Sequence, residues 1–498
     1  MSSFSKFLKK YWVEISAIIL FFITRIINLG IIPIFTDEAI YTYWSQIALH
    51  DPAHRYISLV DGKQPLFIWF GAVFQIFIKD PLIATRSVST LSGLVSLCGI
   101  YLLAKEIFGI KTARLSAILY VILPFTLIYD RLALYDSLLT AICIFIIFFS
   151  LKLAKTPRVD YALLAGLTIG LGLITKSSAL LYLYLLPLPL IAVKFEKGGK
   201  IRHLTRYLPL AFLSVLLSQI IYNSLRLSPL FYMIDRKNMT FIRSFNEIFQ
   251  NPFSYFISNT HAMVTWQNSY IGFPLIIIFL IAIAHGLFTK NKKVILLSIY
   301  IAFPFIVEGL FNKVLYPRFM LFYLPFFIIL TAYGIGITNK IFKLKNWSLN
   351  LLIITSIIYP LANSILILTN PPLSKIAASD LDQYINSWPA GYGVKEVVEI
   401  VKTDSKKEQV FVGTEGTFGL LPYALNIYFY GQQNPAIVGF WPVDPENLPQ
   451  EVYNSAKTQK TYFLFNENQK EIKNPKLVHV ASFQKGQSQS RMRLFEVR

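Results

Sequence analysis

The sequence predicts an α-helical polytopic membrane protein that carries a small α/β domain at its C-terminal end. Of the 498 residues, 54% are hydrophobic and only 15% are charged, and the mean hydropathy is +0.52. Nearly charge-free apolar runs of about 17–22 residues recur along most of the chain, and runs of this length are typical of membrane spans. After residue 370 the apolar runs become short, as in the strands of a domain outside the bilayer.

Eleven apolar runs within residues 1–369 are predicted to cross the membrane. They are residues 13–34, 82–104, 113–129, 137–153, 160–175, 178–193, 207–225, 270–288, 294–311, 319–338 and 348–369. The first external loop, 35–81, contains a shorter amphipathic run at 65–79. We expect that run to form a helix lying at the membrane surface.

Lys and Arg are concentrated in short segments on one side of these spans. The segment before the first span and the connections near 105–114, 152–158, 194–206, 290–293 and 340–345 each hold at least three basic residues. Because cytoplasmic connections are enriched in Lys and Arg, the N-terminus is predicted to be cytoplasmic and the location to be the plasma membrane. The net charge of +20 therefore reflects membrane topology and does not indicate a nucleic-acid partner.

An odd number of spans places residues 370–498 on the extracytoplasmic side. This predicted domain begins with the linker "NPPLSK" at 370–375. Short apolar stretches broken by Gly, Pro and Asn predict strands at 408–416, 425–431 and 460–467, and helices at 376–387 and 394–403.

Two adjacent carboxylates, Asp37 and Glu38, open the first external loop directly after the first span. The following residues have helix-compatible spacing, so the pair could simply begin a surface helix, where acids interact favourably with the free N–H groups. Ionisable groups this close to hydrocarbon are, however, usually functional. Asp136 occupies a similar place in the second external connection, beside Arg131, and it could likewise only cap the next helix. Two acids facing one external cavity would form a plausible catalytic pair.

Basic side chains are expected at the same depth. Lys63 precedes the surface helix, Lys176 ends a span, Arg226 follows the seventh span and Arg318 lies in "LYPRFMLFYLP". Each by itself could be an anchor that reaches the interface. Together they could line an external site for an anion such as a lipid phosphate.

The order and sidedness of these motifs resemble the GT-C glycosyltransferases of the protein O-mannosyltransferase and aminoarabinose transferase type. The matching elements are Arg25, Asp37-Glu38, Lys63-Gln64-Pro65, Arg131 to Asp136, Thr175-Lys176 and "YPRFMLFYLPF" at 316–326, with Gln64 standing where relatives often have proline. The resemblance covers residues 1 to about 340.

The resemblance implies a hexosyl- or pentosyltransferase that moves a sugar from a polyprenyl phosphate to a protein, lipid or glycan acceptor outside the membrane, as in protein glycosylation or cell-envelope assembly. It implies that Asp37 is the base of an inverting displacement. Glu38 and Asp136 would position the acceptor or tune that base. The donor phosphate would be bound among Lys63, Arg318, Lys176, Arg226 and Arg131.

Other site chemistries are not indicated. Cys98 and Cys143 both fall inside spans, and Pro52 breaks the helical face that His50 and His54 would need to bind zinc. We expect no metal site, although a divalent cation is a cofactor that the sequence leaves open. Asp380-Leu381-Asp382 has a spacing that binds metal–nucleotide elsewhere, but acids are ordinary at the start of a helix.

Two other functions fit the same composition. A polysaccharide or lipid transporter would need charges in the middle of its spans and broken helices in matched halves, whereas the charges here gather at one face. A non-catalytic envelope assembly protein would tolerate replacement of Asp37 by Asn, and a transferase would not. The long external loop 226–269 is predicted to cover the cavity and to contact donor or acceptor.

Overall fold

The structure is a computed structural model that describes residues 3–195 and 198–498. Its N-terminal part is helical up to Thr369. The helices are α1 (Ser3–Ile26), α2 (Thr36–His50), α3 (Leu66–Phe77), α4 (Pro81–Phe108), α5 (Ile110–Ile122), α6 (Pro124–Tyr129), α7 (Tyr135–Lys155), α8 (Val159–Leu173), α9 (Leu180–Tyr184), α10 (Lys200–Asn223), α11 (Met233–Phe241), α12 (Phe245–Gln250), α13 (Phe253–Ile271), α14 (Phe273–Phe288), α15 (Lys292–Phe311), α16 (Leu324–Phe342) and α17 (Asn346–Thr369).

Six helices of the described chain are long and apolar enough to cross a membrane. They are α4, α7, α10, α15, α16 and α17. Helices α13 and α14 are long and apolar enough to cross a membrane only when they are taken together. The chain bends by 113° between them, at Gly272. The chain is therefore a multi-pass membrane protein, while the total of eleven spans stays a prediction.

Two predicted spans are not single helices. The span predicted at 113–129 is divided into α5 and α6, because Pro124 cannot continue the hydrogen bonding of α5. The span predicted at 178–193 consists of α9 and short 3-10 turns around Pro187 and Pro189. The helix predicted at 65–79 is present as α3, and its position at the membrane surface stays a prediction.

Small residues let the long helices approach closely. A Cβ on Gly166 of α8 would lie 2.7 Å from the carbonyl oxygen of Ser214 in α10. A Cβ on Gly334 of α16 would lie 2.5 Å from the carbonyl oxygen of Ile278 in α14. Because lipid offers no hydrophobic drive for helix association, such backbone contacts are a main source of packing energy in membranes.

The C-terminal part forms a mixed five-stranded sheet with helices on both faces. The strands are β1 (Val410–Glu415), β2 (Ala436–Phe440), β3 (Lys460–Phe465), β4 (Leu477–Gln484) and β5 (Arg491–Val497), in the order β2-β1-β3-β5-β4. The first three strands are parallel and the last two are antiparallel to their neighbours. The helices are α18 (Ala378–Leu381), α19 (Val394–Ser405), α20 (Leu420–Phe429) and α21 (Gln450–Ala456).

The strands predicted at 408–416 and 460–467 are confirmed as β1 and β3. The prediction of a strand at 425–431 is wrong, because most of that stretch belongs to α20. The reason is topological: β1 and β2 are parallel neighbours, so the chain between them must cross over the sheet, and α20 makes that crossover. Its apolar side chains are buried between the sheet and α2.

Candidate active site

Helix α2 begins at Thr36 because the side chain of Glu38 turns back to the preceding main chain. Its Oε2 accepts the N–H of Phe35 at 3.0 Å, the reciprocal contact that fixes the first turn of a helix. The two acids of this turn then diverge, since successive residues of an α-helix point about 100° apart. Glu38 is fully buried, whereas the side chain of Asp37 keeps 22% of its surface exposed.

Glu38 is bound entirely within the protein. Arg86 of α4 donates to its two oxygens at 2.8 and 2.7 Å, and the N–H of Ala133 donates to Oε1 at 2.6 Å. Arg86 also donates to the carbonyls of Leu29 and Ile32, which lie just before α2. Glu38 therefore joins α2, α4 and the turn before α7. The geometry does not fit the prediction that it contacts the acceptor, because both of its oxygens are already engaged.

Asp37 lies on a different face and pairs with Arg318. Its Oδ2 is 3.0 Å from Arg318 Nη2. Burial by itself would lower the pKa of Arg318, but Asp37 and other acidic and phenolic groups nearby raise it, so the guanidinium stays charged. Arg318 Nη1 is buried and has no hydrogen-bond partner among the described residues. One donor of the guanidinium thus remains for a bound anion.

A second ion pair joins Asp136 to Lys176. Asp136 is in the first turn of α7, and its Oδ1 accepts a hydrogen bond from Lys176 Nζ at 2.7 Å. The same ammonium lies 4.3 Å from the ring centre of Phe319, the residue after Arg318. The two ion pairs are therefore neighbours, as the sequence predicted for Asp37, Asp136, Lys176 and Arg318.

Lys63 is the third cation of the cluster. Its pKa is lowered by burial and by the charges of Arg318 and Lys176, while Asp37 and Asp61 oppose that shift. Within 3–195 and 198–498, Lys63 has no ion-pair partner, and its ammonium lies 5.8 Å from the ring centre of Phe241. The charged cluster is defined here as Asp37, Lys63, Asp136, Lys176 and Arg318. It thus includes one ammonium that forms no ion pair with any carboxylate of the described residues.

The loop 226–269, predicted to cover the cavity, contacts the segments next to this cluster. Lys237 of α11 forms an ion pair with Asp61 at 2.5 Å, and Asn238 donates to the hydroxyl of Ser177 at 3.1 Å. Gln64 donates to the same hydroxyl at 2.8 Å, so it ties the Lys63 loop to the segment after Lys176. Contact between this loop and a substrate stays a prediction.

The structure does not bring Arg131 into the cluster. Its guanidinium donates to the carbonyls of Thr24 and Ile27 at 2.7 and 3.0 Å and also to that of Asn28. These groups are the free carbonyls at the end of α1, so Arg131 caps a helix, and the prediction that it binds phosphate does not fit this geometry.

Arg226 also lies outside the charged cluster and contacts other residues. It is exposed, donates to the side chain of Asn223 at 2.6 Å and lies 4.5 Å from the ring centre of Phe231. These contacts hold it against the end of α10, so the structure does not support its predicted place around the donor phosphate.

Asp380 is a buried acid, whereas its sequence context predicts an ordinary acid at the start of a helix. Its Oδ2 accepts hydrogen bonds from the hydroxyls of Tyr129 and Tyr270, which belong to α6 and α13. Burial raises its pKa to about 6, while the two tyrosines and Arg318 act against that rise. Asp382 is exposed, so the two acids point apart and do not form a paired metal-binding motif. Nothing in the local sequence signals this burial, because the tyrosines are 251 and 110 residues away.

The C-terminal domain holds the chain immediately before Asp37. Thr36 donates its N–H to the carbonyl of Pro389 at 3.1 Å, and Gly391 donates to that of Ile34 at 2.8 Å. These two bonds form an antiparallel bridge between Phe35 and Ala390. Helix α20 also packs along α2, where Gln46 donates to the carbonyl of Ile427 at 2.8 Å. The C-terminal domain is therefore part of the framework that orients α2.

No group of three or more His, Cys, Asp or Glu in the described part of the chain could hold a metal ion. The carboxylates of the charged cluster are paired with Arg and Lys in this structure. Use of a divalent cation stays a prediction that these contacts do not test.

Residues 62–222 match the sequence profile of a family described as dolichyl-phosphate-mannose-protein mannosyltransferase. That segment includes Lys63, Asp136 and Lys176, but it is well under half of the chain. A search with the sequence among curated proteins finds no match.

Solved structures with the same architecture span almost the whole chain. The structure of ArnT from Cupriavidus metallidurans in the apo state has a TM-score of 0.59 and 14% identity, over 99% of this chain and 98% of that one. The same protein bound to undecaprenyl phosphate gives a TM-score of 0.58 at 14% identity, over 97% of each chain. The archaeal oligosaccharyltransferase AglB from Archaeoglobus fulgidus, in complex with an inhibitory peptide and a dolichol-phosphate, gives 0.53 and 13% identity over 92% of this chain and 70% of its own. This chain thus has the GT-C fold, as its motifs suggested.

Proposed function

We propose that the protein is a membrane glycosyltransferase that transfers a sugar from a polyprenyl phosphate to an acceptor hydroxyl on the extracytoplasmic side of the plasma membrane. The observation that carries the proposal is the charged cluster, in which Asp37 is held 3.0 Å from Arg318 while Lys63 has no anionic partner among the described residues. The fold and the family match at 62–222 support it, and the similar ArnT and AglB structures contain undecaprenyl phosphate and dolichol-phosphate.

The donor phosphate would bind to the ammonium of Lys63 and the free Nη1 of Arg318. Both are partly buried cations with unused hydrogen-bonding capacity among the described residues, and a phosphodiester monoanion would satisfy them. Lys176, held by Asp136, would add positive charge beside them. As the bond between the anomeric carbon and the phosphate oxygen breaks, these fixed cations would stabilise the charge of the leaving phosphate.

Asp37 would act as the base. The acceptor hydroxyl attacks the anomeric carbon, its proton passes to Asp37, and the phosphate leaves with the bonding electron pair. A single displacement of this kind inverts the anomeric centre. The ion pair with Arg318 favours the ionised carboxylate, which is the form that can accept a proton.

The first isoprene units of the prenyl chain would occupy an apolar groove of about 220 Å³. Its walls come from α3, α4, α7 and α8, with Phe70, Leu138, Ala141 and Thr168 among the lining residues. Three of these helices adjoin the charged cluster at one end: α3 follows Lys63, α7 begins with Tyr135 and Asp136, and α8 is followed by Lys176. A chain anchored by its phosphate at the cluster could therefore extend directly into the groove.

The distribution of charge supports the proposed sidedness. At the end of α7 opposite to Asp136, Lys152 and Lys155 share Glu106 in two ion pairs. Basic clusters of this kind are typical of the cytoplasmic side, which supports a position of Asp136 and Asp37 at the outer surface.

The test is donor turnover by the full chain in nanodiscs. Synthetic polyprenyl-phosphate mannose, glucose and aminoarabinose are supplied separately, and released polyprenyl phosphate is measured with and without a membrane extract as the source of acceptor. At least one donor should be consumed. Replacing Asp37 with Asn should reduce turnover by about 100- to 10,000-fold without abolishing polyprenyl phosphate binding.

Lys63→Ala should weaken polyprenyl phosphate binding, whereas Lys155→Ala at the opposite end of the helices serves as the matched control. If Asp37→Asn turned over the donor at the wild-type rate, Asp37 would not be the base. If the wild type consumed no donor, the proposal would be wrong and a non-catalytic assembly role would be favoured.

A further inference from the structure

Another apolar groove lies between α14, α16 and α17. Its volume is about 580 Å³, and its lining comes from residues 274–281 of α14, from Thr338 and Phe342 of α16, and from residues 347–355 of α17. The lining of α17 corresponds to about 12 Å of helix axis. Because one leaflet of a bilayer provides about 15 Å of hydrocarbon, the groove is long enough to hold most of one acyl chain.

The groove opens at the end of these helices that is remote from the charged cluster. Arg318 precedes α16, whereas Phe342 is its last residue, and a helix of 19 residues is about 28 Å long. Phe342 and Trp347 line this end of the groove and are 62% and 66% exposed. The groove is therefore open to the surroundings of the protein and separate from the proposed donor site.

The short connection between α16 and α17 places positive charge at this opening. Leu344 lines the groove, while its neighbours Lys343 and Lys345 are exposed and have no ion-pair partner among the described residues. Lys340, in the last turn of α16, is also exposed. The sequence from 309 to 379 contains no Asp or Glu, so no carboxylate of this segment can neutralise these lysines.

The N-terminus of α17 adds hydrogen-bond donors at the same place. Its N-cap residue is Lys345, whose side chain has no acceptor atom and caps no main-chain N–H group. The N–H groups of the first turn and the positive end of the helix dipole are therefore available to an anion. A phosphate bound there would lie between two lysines.

An unpartnered hydroxyl lies deeper in the groove. Thr338 is 5% exposed, and its Oγ1 has no hydrogen-bond partner among the described residues. It is four residues before Phe342, which is about 6 Å from the opening along the helix axis. A plain alkyl chain would leave this buried donor unsatisfied, whereas an ester carbonyl at the same depth would accept its hydrogen bond.

We propose that this groove binds one anionic phospholipid, with an acyl chain between α14 and α17, an ester carbonyl at Thr338 and the phosphate at the N-terminus of α17 beside Lys343 and Lys345. In the orientation proposed above, this lipid belongs to the cytoplasmic leaflet, whose anionic lipids attract basic segments next to membrane helices. The site is distinct from that of the polyprenyl donor and adds a second lipid to the protein.

The experiment is native mass spectrometry of the full chain in a non-ionic detergent. Delipidated protein is mixed with phosphatidylglycerol or with phosphatidylcholine of the same acyl chains, and the first bound lipid is quantified. The wild type should bind phosphatidylglycerol about tenfold more tightly. Lys343→Gln combined with Lys345→Gln should remove this preference, and Thr355→Trp, which fills the groove, should weaken phosphatidylglycerol binding about fivefold. The matched controls are Lys200→Gln, at the first residue of α10, and Ile354→Trp, at an exposed position of α17 outside the groove.

The hydroxyl is tested separately. Thr338→Val keeps the shape of the side chain and should weaken phosphatidylglycerol binding about threefold, because one hydrogen bond is lost. Unchanged binding by this variant would contradict the ester contact.

Three results would overturn the lipid site: equal binding of the two lipids by the wild type, a preference that survives in the double lysine variant, or wild-type binding by Thr355→Trp. Displacement of phosphatidylglycerol by undecaprenyl phosphate, or a dimer that Thr355→Trp disrupts, would also overturn it by identifying a prenyl chain or a second copy as the occupant. Equal thermal unfolding midpoints of the lipid-free variants would show that the fold is retained. Because no turnover is measured, the outcome is independent of the proposed transferase function.

Discussion

Gly391 donates its main-chain N–H to the carbonyl of Ile34 at 2.8 Å, three residues before Asp37. A residue of the C-terminal domain thereby fixes the chain that carries the proposed base. The contact has no room for a side chain, because a Cβ on Gly391 would lie 2.5 Å from Ile34 Cγ2 and 2.7 Å from the Ile34 oxygen.

Gly391→Val should therefore displace the bridge and misplace Asp37. Because small errors in the position of a catalytic group are costly, we expect donor turnover to fall by about 100-fold while polyprenyl phosphate binding persists. Hydrogen exchange at the amides of Thr36 and Gly391 should accelerate. Gly336→Ala, where a Cβ would meet nothing within 4 Å, is the control. Normal turnover by Gly391→Val would show that the bridge has no part in positioning Asp37.

Glu38 and Asp37 should behave differently although they are adjacent in sequence. Glu38→Gln removes the charge that faces buried Arg86, and breaking a buried ion pair costs about 3–5 kcal/mol of stability. We expect a clearly lower midpoint of thermal unfolding and a turnover per folded molecule that stays far above that of Asp37→Asn. Arg86→Gln should give the same profile. A Glu38→Gln protein of wild-type thermal stability that lacks all turnover would restore the sequence-based expectation that Glu38 positions the acceptor or tunes Asp37.

Asp380 should make stability depend on pH. Its folded pKa of about 6 lies above the usual value of 3.8, so the folded state binds more protons than the unfolded state between these limits. The free energy of unfolding should therefore fall as pH rises from about 4 to 6, by about 3 kcal/mol at most, and this contribution is constant above that window.

Asp380→Asn should lose this part of the pH dependence, which can be followed as the thermal midpoint in steps across the same range. Asp382→Asn changes an exposed acid two residues away and should retain the wild-type profile. An unchanged profile in Asp380→Asn would contradict the assignment to Asp380.

The apolar groove should determine the preference for donor chain length. Ala141→Phe places a ring in the 220 Å³ space and should raise the KM for a long polyprenyl donor about tenfold, because apolar contact with the chain is lost. A donor whose chain is too short to reach Ala141 should keep its KM. Ala162→Phe alters an equally buried alanine of α8 that does not line this groove, and it should not discriminate between chain lengths. Equal effects on long and short donors would place the chain elsewhere.

Much of the membrane region was predictable because apolar run length and basic connections are local signals. The same signals placed Asp37, Asp136, Lys63, Lys176 and Arg318 at one depth, and the structure brings these five together. They could not separate these residues from Arg131 and Arg226, because a cation that caps a helix and a cation that binds phosphate look alike in sequence. The error at 425–431 has a similar origin, since a short apolar run becomes α20 only because its flanking strands are parallel.

Hydrocarbon imposes length and polarity on each segment separately, so the order of residues is enough to specify a chain of membrane spans with acids and bases at the ends of particular helices. The pairing of Asp37 with Arg318, the enclosure of Glu38 by Arg86 and the contact of Gly391 with Ile34 arise only when the distant segments pack together. These choices depend on partners as much as 357 residues apart and on a rotation of about 100° between neighbouring helical residues, and no local pattern records either.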